Sequence, residues 1–324
     1  MDGTGIVVFA PASIANLSVG FDALGLALAP ADGTRFGDIV ELTPSTNDDW
    51  TLETDGPYAA ALPEDPDQNV VLTTCRALQS LAAEGGTVVP TAAVRLTKGL
   101  PIGSGLGSSA ASIVATAVAL HRSAGNAFSD ETLFRFMAEM EGSVSGGVHL
   151  DNIAPSYSGG LRLCLPGSTM HFGLPWPDTW RLVVAWPGTE VRTRDARAVV
   201  PDRLTRATAV GQAARLARFV HLLHAGDREK AAECLVDEIA EPHRAALLPG
   251  FLEARTALTE RGASAVGISG SGPSIFAIAE GPEIAQRLRT WLGDHYLQSP
   301  AGFVHVCDVD TEGARVVDRA RAAR

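Results

Sequence analysis

The stretch Pro101-Ile-Gly-Ser-Gly-Leu-Gly-Ser-Ser-Ala-Ala111 decides the fold, because three glycines run directly into two serines and an alanine-rich helix. Gly103, Gly105 and Gly107 let the backbone turn so that its N–H groups point into one concavity. A helix that starts near Ser108 adds the positive end of its macrodipole. The stretch therefore predicts a loop that binds phosphate. The alternative is an ordinary glycine-rich turn that caps a buried helix.

Two familiar kinds of nucleotide loop are excluded. A P-loop carries a lysine directly after its last glycine, and Ser108 stands at that position. The glycine spacing also differs from that of a dinucleotide-binding loop. The chain has only two lysines, Lys98 and Lys230, and neither lies in the loop. Charge on a bound triphosphate is therefore expected to be neutralised by backbone dipoles, by a metal ion, or by arginines from elsewhere.

The composition is that of a globular protein with a large core, since 46% of the 324 residues are hydrophobic. The net charge of −11 resides in residues 1–165, whereas residues 166–324 hold equal numbers of basic and acidic side chains. An acidic domain repels nucleic acid and favours a nucleotide bound as its Mg²⁺ complex. We therefore expect no nucleic-acid partner.

Four cysteines are scattered without a close pair, so neither a disulfide framework nor a zinc site is indicated. The first residues lack the basic region of a signal peptide, and no apolar run approaches the roughly 18 residues of a membrane span. The expectation is a cytoplasmic protein with no membrane partner.

Hydrophobic patterns predict strands and helices that interleave without the regular alternation of a doubly wound sheet. The predicted strands cover 5–10, 38–43, 93–97, a short stretch within 158–165, 180–186, 274–279 and 303–309. The predicted helices cover 108–122, 130–141, 203–224, 228–239, 251–260 and 283–291. We expect an α+β fold with two domains, 1–165 with the phosphate loop and 166–324.

Two further glycine-bearing segments stand out. Gly267-Ile-Ser-Gly-Ser-Gly-Pro273 precedes an apolar strand, and the segment from Pro11 to Asp22 places Asn16 and Asp22 in a turn after the first strand. Taken alone, the first is explained by a strand-entry turn and the second by polar groups that satisfy the backbone. Two glycine loops could nevertheless close on one site from two domains.

Together the three segments resemble the motifs of the GHMP kinase superfamily, and within it they are most similar to those of the homoserine kinases. The first reads Pro-Ala-Ser-Ile-Ala-Asn from Pro11 and Gly-Phe-Asp-Ala-Leu-Gly from Gly20. The resemblance extends to His149-Leu-Asp-Asn-Ile-Ala-Pro155, to Glu241-Pro-His-Arg244 and to Leu248-Pro-Gly-Phe251, and so spans nearly the whole chain.

This resemblance implies a fold, an activity and ligands. The expected N-terminal domain is like the second domain of ribosomal protein S5, and the expected C-terminal domain is ferredoxin-like. The implied reaction transfers the γ-phosphoryl group of ATP, with Mg²⁺, to the side-chain hydroxyl of L-homoserine, giving O-phospho-L-homoserine for threonine biosynthesis. A homodimer is also implied.

Binding of ATP is assigned to the first loop and to the glycine loop of the C-terminal half. The expected residues are Pro101, Ile102, Gly103, Ser104, Gly105, Leu106, Gly107, Ser108, Ser109, Ala110, Ala111, Gly270, Ser271 and Gly272. For the metal, the candidates are Glu141 and a hydroxyl of Ser108 or Ser109, because carboxylate, hydroxyl and phosphate oxygens suit Mg²⁺. The alternative is that Glu141 is a solvated acid at a helix end.

Homoserine carries an ammonium, a carboxylate and a hydroxyl, and a specific pocket needs a partner for each. Asp22 suits the ammonium. Arg197 and Arg244 suit the carboxylate, because a guanidinium forms two parallel charge-assisted bonds. The substrate backbone and hydroxyl are assigned to Asn16, His149 and Asn152. Solvated arginines and a core histidine bonded to the backbone are the alternatives.

Asp151 raises the question of a catalytic base. Kinases similar to mevalonate kinase use an aspartate with a nearby lysine, and no such lysine is evident here, since position 13 is Ser13. We therefore expect positioning and charge neutralisation by Asn16, Asp151 and Asn152 without a dedicated base. Ser18 stands where homoserine kinases usually carry glycine, and a serine fits at modest cost if its φ stays negative.

Three other interpretations remain. The protein could be a superfamily kinase for another small alcohol, such as mevalonate or a sugar, although a sugar would not need two cations for a carboxylate. It could be a catalytically inactive ligand-binding regulator, against which Glu141, Ser108 and Ser109 argue. It could also be an α+β protein with structural glycine turns.

Overall fold

The computed structural model describes residues 5–45 and 49–319, apart from the side chain of Ser145. The strands are β1 (Ile6–Pro11), β2 (Ser13–Ala15), β3 (Leu24–Pro30), β4 (Gly37–Pro44), β5 (Thr51–Asp55), β6 (Ala92–Thr97), β7 (Leu161–Cys164), β8 (His171–Leu174), β9 (Trp180–Trp186), β10 (Ala263–Ile268), β11 (Ile275–Glu280), β12 (Phe303–Val309) and β13 (Arg315–Val316). The helices are α1 (Val70–Glu84), α2 (Ser108–Ser123), α3 (Asp130–Ser145), α4 (Ile153–Ser158), α5 (Thr193–Ala198), α6 (Arg206–Ala225), α7 (Arg228–Ala232), α8 (Glu241–Arg244), α9 (Phe251–Glu260) and α10 (Pro282–His295).

Two sheets form the framework. The first has the order β13-β1-β4-β6-β5, in which β5 and β6 run parallel and the other pairs antiparallel. The second has the order β10-β11-β9-β12-β3-β7-β8, with β2 beside β3. Helices α9 and α10 pack on the part of the second sheet built from the C-terminal half. The expected α+β class is confirmed.

Helix α2 lies at the centre of the hydrophobic core beside the first sheet. Every residue from Ala110 to His121 is buried, and the helix packs on β1 and β4 and contacts α1 and α3. The sequence predicted this burial from the absence of a polar face. Because the helix is enclosed on all sides, the loop that precedes it has a fixed position.

Strand pairing crosses the predicted domain boundary at residue 165. In the second sheet β12 pairs with β3, with Val309 opposite Leu28, and in the first sheet β13 pairs with β1. Both late strands therefore return to strands from the first 30 residues. The division into 1–165 and 166–324 stays a prediction.

The helix predicted over 228–239 is wrong beyond Ala232, where α7 ends. The carboxylate of Asp237 accepts the N–H groups of Ile239 and Ala240, both at 2.8 Å, and that of Glu241 at 3.2 Å. An aspartate that bonds the following backbone favours a turn over helix continuation. This turn leads directly into α8, which carries Arg244.

The four cysteines are all buried. Within residues 5–45 and 49–319, no helix combines the length and apolar character needed to cross a membrane.

Candidate active site

The phosphate loop has the conformation that its glycines predict. Gly103, Gly105 and Gly107 have φ values of +64°, +79° and +69°, in the left-handed region that favours glycine. A Cβ on Gly105 would lie 2.4 Å from the carbonyl oxygen of Ser269, so no side chain fits there. Helix α2 begins immediately after Gly107, and the N–H groups of its first turn have no partners within the helix. The geometry is that of an anion site.

The loop of the C-terminal half lies directly against the phosphate loop. The Ser269 hydroxyl donates to the carbonyl oxygen of Gly105 at 2.6 Å, and the Ser274 N–H donates to that of Ser104 at 3.1 Å. The N–H of Ser13, in the first segment, donates to the Leu106 carbonyl oxygen at 3.1 Å. The three segments singled out in the sequence therefore meet at one place.

A buried lysine supports the phosphate helix, and sequence reasoning missed it. Lys98 Nζ donates to the carboxylate of Asp38, to the Ser108 carbonyl oxygen at 2.9 Å and to the Ser112 hydroxyl at 3.0 Å. The other oxygen of Asp38 accepts the N–H groups of the two residues that follow Lys98. Lys98 and Asp38 are 2% and 0% exposed. Because all three ammonium hydrogens are used, Lys98 fixes the first turn of α2 and does not offer a donor to a ligand.

Glu141 and Ser109 form the candidate cation site. Ser109 Oγ donates to Glu141 Oε1 at 2.9 Å, across the gap between α2 and α3. Glu141 is 6% exposed, and burial raises its pKa to about 7. It is therefore not a solvated acid at a helix end. A hard divalent cation would stabilise the ionised carboxylate, and carboxylate and hydroxyl oxygens are the ligands it prefers.

The remaining ligands of such a cation would be water and phosphate oxygens. Across the part of the chain that the structure describes, no group of three or more His, Cys, Asp or Glu side chains is arranged to hold a metal. A cation held by one carboxylate and one hydroxyl suits Mg²⁺, which keeps several waters and binds through substrate phosphates.

Asp22 and Arg197 face each other at the other end of the site. The guanidinium donates two parallel hydrogen bonds, from Nη2 to Asp22 Oδ1 at 2.9 Å and from Nη1 to Oδ2 at 3.2 Å. His149 Nδ1 lies 3.5 Å from Asp22 Oδ1, and burial lowers the pKa of the imidazole below its usual value. His149 is therefore mainly neutral at pH 7. Asp22 and Arg197, which the sequence assigned to the ammonium and the carboxylate of the substrate, thus pair with each other in this structure.

Arg244 is buried and partly bonded to the backbone. Its Nε donates to the carbonyl oxygen of Ala196 at 3.0 Å, and its Nη1 donates to that of Gly270 at 2.8 Å. The guanidinium also lies 5.4 Å from the centroid of the Phe21 ring. These bonds do not use Nη2. Arg244 thus holds α5 and the C-terminal glycine loop together, and it has a donor group left for a carboxylate.

Asn16 also connects segments. Its Nδ2 donates to the Gly270 carbonyl oxygen at 3.2 Å, and its Oδ1 accepts the N–H of Asp22 at 2.9 Å. The amide therefore connects the Asp22 turn to the C-terminal glycine loop. A direct contact of Asn16 with a substrate stays a prediction.

The backbone of this first segment is strained. Asn16, Leu17 and Ser18 have φ values of +69°, +42° and +56°, so three consecutive residues other than glycine are left-handed. The condition for a low-cost serine at this position, a negative φ, is therefore not met. The Asp22 turn requires the glycine-like conformation, and the serine adopts it at the cost of strain.

Asn152 and Asp151 lie at the start of α4, next to the phosphate loop. Asn152 Oδ1 accepts a hydrogen bond from the Ser13 hydroxyl at 2.8 Å and would lie 2.9 Å from a Cβ on Gly107. Asp151 is 3% exposed, and its burial raises its pKa to about 7. The Asp22 carboxylate raises that pKa further, while the Arg197 guanidinium opposes the rise.

One cleft of about 470 Å³ brings most of the predicted residues together. Its walls include Asn16, Asp22, Ile102, Gly103, Ser104, Gly105, Gly107, Ser108, Ser109, Glu141, His149, Asp151, Asn152, Arg197, Arg244, Gly270 and Ser271. Five predicted positions are not among the lining residues: Pro101, Leu106, Ala110, Ala111 and Gly272. Of these, Leu106, Ala110 and Ala111 are fully buried in the core behind the loop.

The same cleft has two walls that the sequence did not indicate. One is formed by Leu62, Pro63 and the residues 68–70, where Asn69 caps α1 by accepting the Val71 N–H at 2.9 Å. The other is formed by Glu190 and the residues 192–194 that lead into α5. Only the cap residue before α1 carried a local signal in the sequence.

Family models for the N-terminal and C-terminal domains of GHMP kinases match residues 69–160 and 211–296. The chain belongs to the GHMP kinase family, and these proteins are phosphotransferases.

Among solved structures, the homoserine kinase of Cytophaga hutchinsonii is 34% identical over 98% of both chains, with a TM-score of 0.86. A Listeria monocytogenes protein, provisionally assigned as a homoserine kinase, is 26% identical over 98% of this chain and 100% of its own, with a TM-score of 0.73. The mevalonate kinase of L. major shares the fold at 14% identity and a TM-score of 0.66, over 94% of this chain and 95% of its own.

Proposed function

We propose that this protein transfers the γ-phosphoryl group of ATP to the side-chain hydroxyl of L-homoserine, giving O-phospho-L-homoserine. The observation that carries the proposal is the division of the cleft. One end has the phosphate loop, and the other has the Asp22 carboxylate with the guanidinium groups of Arg197 and Arg244. An amino acid has the complementary charges, an ammonium and a carboxylate. The likeness to the Cytophaga hutchinsonii homoserine kinase supports the same acceptor.

In this proposal the triphosphate binds to the stretch 101–111 through backbone N–H groups and the start of α2. The C-terminal glycine loop, with Gly270, Ser271 and Gly272, completes this end of the site. The loop has no lysine of its own, and main-chain donors and the helix terminus supply part of the attraction for an anion. Fixed donors of this kind need no reorganisation when charge develops on the transferred group.

We assign Mg²⁺ to Glu141 and Ser109. Of the two serines, Ser109 is favoured because its hydroxyl already contacts the carboxylate, whereas Ser108 Oγ donates to the carbonyl oxygen of Leu100 at 3.3 Å. When bound, the ion neutralises charge on the phosphate oxygens.

The acceptor is proposed to bind across the Asp22–Arg197 ion pair. The ammonium of an amino acid carries the same charge as the Arg197 guanidinium, so it can replace the guanidinium beside Asp22. The carboxylate then lies between Arg197 and Arg244. His149 and Asn152 are assigned to orient the substrate backbone and its hydroxyl.

We further propose that no dedicated base removes the hydroxyl proton. It leaves late, to the phosphate itself, and the enzyme contributes positioning and charge neutralisation. Asp151→Asn tests this directly, because a pKa near 7 would otherwise suit a general base. A fall of about 10³-fold or more in kcat, with the fold and substrate binding intact, would refute the proposal.

The acceptor is tested by ADP release with Mg²⁺–ATP against homoserine, serine, threonine, mevalonate and galactose. We expect a rate above background hydrolysis with homoserine and much smaller rates with the others. If homoserine gives no rate while another alcohol does, the acceptor assignment fails and only the family activity remains. A role in threonine biosynthesis, a cytoplasmic location and a homodimer are predictions that accompany the homoserine assignment.

A further inference from the structure

Most cations that line the cleft already have partners. The ammonium hydrogens of Lys98 are bonded to Asp38 and to two residues of α2. Arg197 is paired with Asp22, and Arg244 is bonded to two backbone carbonyl oxygens. Two other arginines line the same cleft, Arg192 and Arg194, and both are exposed. They are the cleft cations that can turn toward a ligand without breaking a buried interaction.

The segment that carries these arginines lies on the phosphate loop. The N–H of Val191 donates to the carbonyl oxygen of Gly103 at 3.0 Å, and a Cβ on Gly103 would lie 3.3 Å from the Cβ of Glu190. Arg192 follows Val191 directly, and Arg194 lies one residue beyond Thr193. Arg192 therefore starts next to the first glycine of the loop, and Arg194 lines the same cleft two residues further along.

Neither arginine side chain has a strong hydrogen bond or ion pair among the described residues. Within residues 5–45 and 49–319, the side chain of Arg192 makes no hydrogen bond or ion pair, and Arg194 Nε is 3.9 Å from Asp195 Oδ1 in an exposed contact. Exposed ion pairs of this length contribute little. A redirected guanidinium would thus lose almost nothing and would gain charge-assisted bonds to phosphate.

The loop also needs added positive charge. Glu190 lines the cleft beside Gly103, Glu141 of α3 lines the same cleft, and the whole net charge of −11 belongs to residues 1–165. A free triphosphate would be repelled by this field. We propose that Arg192 and Arg194 bind the phosphate chain of the nucleotide and supply the cationic charge that a lysine supplies in other nucleotide loops. This inference rests on the proposed function only in taking ATP as the ligand, and it requires no acceptor.

The test is nucleotide binding by calorimetry on the full chain, for Mg²⁺–ATP and for adenosine, at low and high salt. The double variant Arg192→Ala/Arg194→Ala should raise the Kd for Mg²⁺–ATP by about tenfold or more, leave the Kd for adenosine unchanged, and reduce the salt dependence of ATP binding. The double variant Arg192→Lys/Arg194→Lys should retain most of the affinity for Mg²⁺–ATP, because it keeps both charges. Arg203→Ala is the matched control, since Arg203 is exposed and does not line the cleft.

An unchanged Kd for Mg²⁺–ATP in the alanine double variant would overturn the inference, as would an equal loss of ATP and adenosine binding. The acceptor assignment is judged separately. If homoserine accepts no phosphate while the Kd values change as described, the homoserine proposal fails and the arginine proposal is supported.

Discussion

Replacing Ser18 by glycine is expected to stabilise the protein, because the serine has two unfavourable features. Its φ of +56° places a residue with a Cβ in the left-handed region, which costs roughly 1–2 kcal/mol. Its hydroxyl is buried and has no hydrogen-bond partner among the described residues, and an unsatisfied buried group of this kind costs about 1–3 kcal/mol.

Two effects oppose this gain. Glycine loses about 0.5–1 kcal/mol more conformational entropy on folding. The hydroxyl also packs closely on Gly267, where an added Cβ would lie 2.1 Å from Ser18 Oγ, and its removal leaves a small gap. The net expectation for Ser18→Gly is a stabilisation of about 1–3 kcal/mol.

The assay is thermal unfolding, in which about 1 kcal/mol corresponds to roughly 2–4 °C in Tm for chains of about 150–250 residues. Ser18→Ala is the matched control, because alanine removes the hydroxyl but keeps the Cβ and its backbone strain. The expected order of stability is glycine, then alanine, then serine, with about 0.5–1 kcal/mol between the first two. A glycine variant that is less stable than alanine would refute the argument from backbone strain, and one less stable than the natural protein would refute both arguments.

Three other substitutions give separate readouts. Lys98→Met leaves Asp38 as an unpaired buried charge and should lower the free energy of unfolding by about 3–5 kcal/mol. The double variant Lys98→Met/Asp38→Asn removes that charge and should recover part of the loss in Tm. If it recovers nothing, the unpaired charge of Asp38 is not the cause of the destabilisation. Asp151→Asn should remove one contribution to the pH dependence of stability. The raised pKa makes the folded state bind the Asp151 proton more tightly, so the contribution of this group to stability falls as the pH rises from about 4 to about 7. The variant should therefore gain relative stability up to pH 8, by at most about 4 kcal/mol, and parallel Tm–pH curves would contradict this. Arg197→Ala should raise KM for homoserine at least tenfold, as expected for loss of a charge-assisted bond, with KM for ATP unchanged; an equal rise in both would point to a structural effect.

The parts of the site that the sequence predicted are those encoded locally. Three positive φ angles and the start of α2 follow from eleven consecutive residues, 101–111, and the burial of α2 follows from the apolar residues of 108–122. The sequence indicated that this loop and the C-terminal glycine loop could close on one site, and in the structure their backbones are in contact. Glycine at 105 is required for that contact, since the Ser269 carbonyl oxygen occupies the space of a Cβ.

Some elements were missed although their pattern is periodic, such as the amphipathic helix α1, and others because they have no periodic pattern. Strand β3 reads Leu-Gly-Leu-Ala-Leu-Ala-Pro and is buried on both faces, so it lacks the alternation of a half-exposed strand. The end of α7 was misplaced for a different reason. The apolar residues after Ala232 continue a helical pattern, but the chain enters tight turns there, with the Val236 N–H donating to the Cys234 carbonyl oxygen at 2.8 Å. The side chain of Asp237 then fixes the turn that leads into α8 by accepting three backbone N–H groups.

The Lys98–Asp38 pair depends on strand register, which the sequence alone did not supply. Strands β4 and β6 pair with Ile39 opposite Thr97, and this register brings Asp38 next to Lys98 across 60 positions of the chain. The sequence showed that the lysine lies outside the phosphate loop. Only the strand pairing shows that Lys98 lies beneath the phosphate loop.

Two kinds of cation therefore serve the phosphate end of the cleft, and they differ in what a substitution would do. Lys98 is enclosed, with three acceptors on one small ammonium group, so a larger guanidinium does not fit and Lys98→Arg should behave as a loss. Arg192 and Arg194 are exposed, so a lysine keeps the charge that matters there. The buried cation fixes the shape of the loop, and the exposed cations are proposed to bind the charge of the ligand. A phosphate loop without its own lysine is consistent with this separation, because the loop's shape and the neutralisation of its ligand no longer depend on one residue.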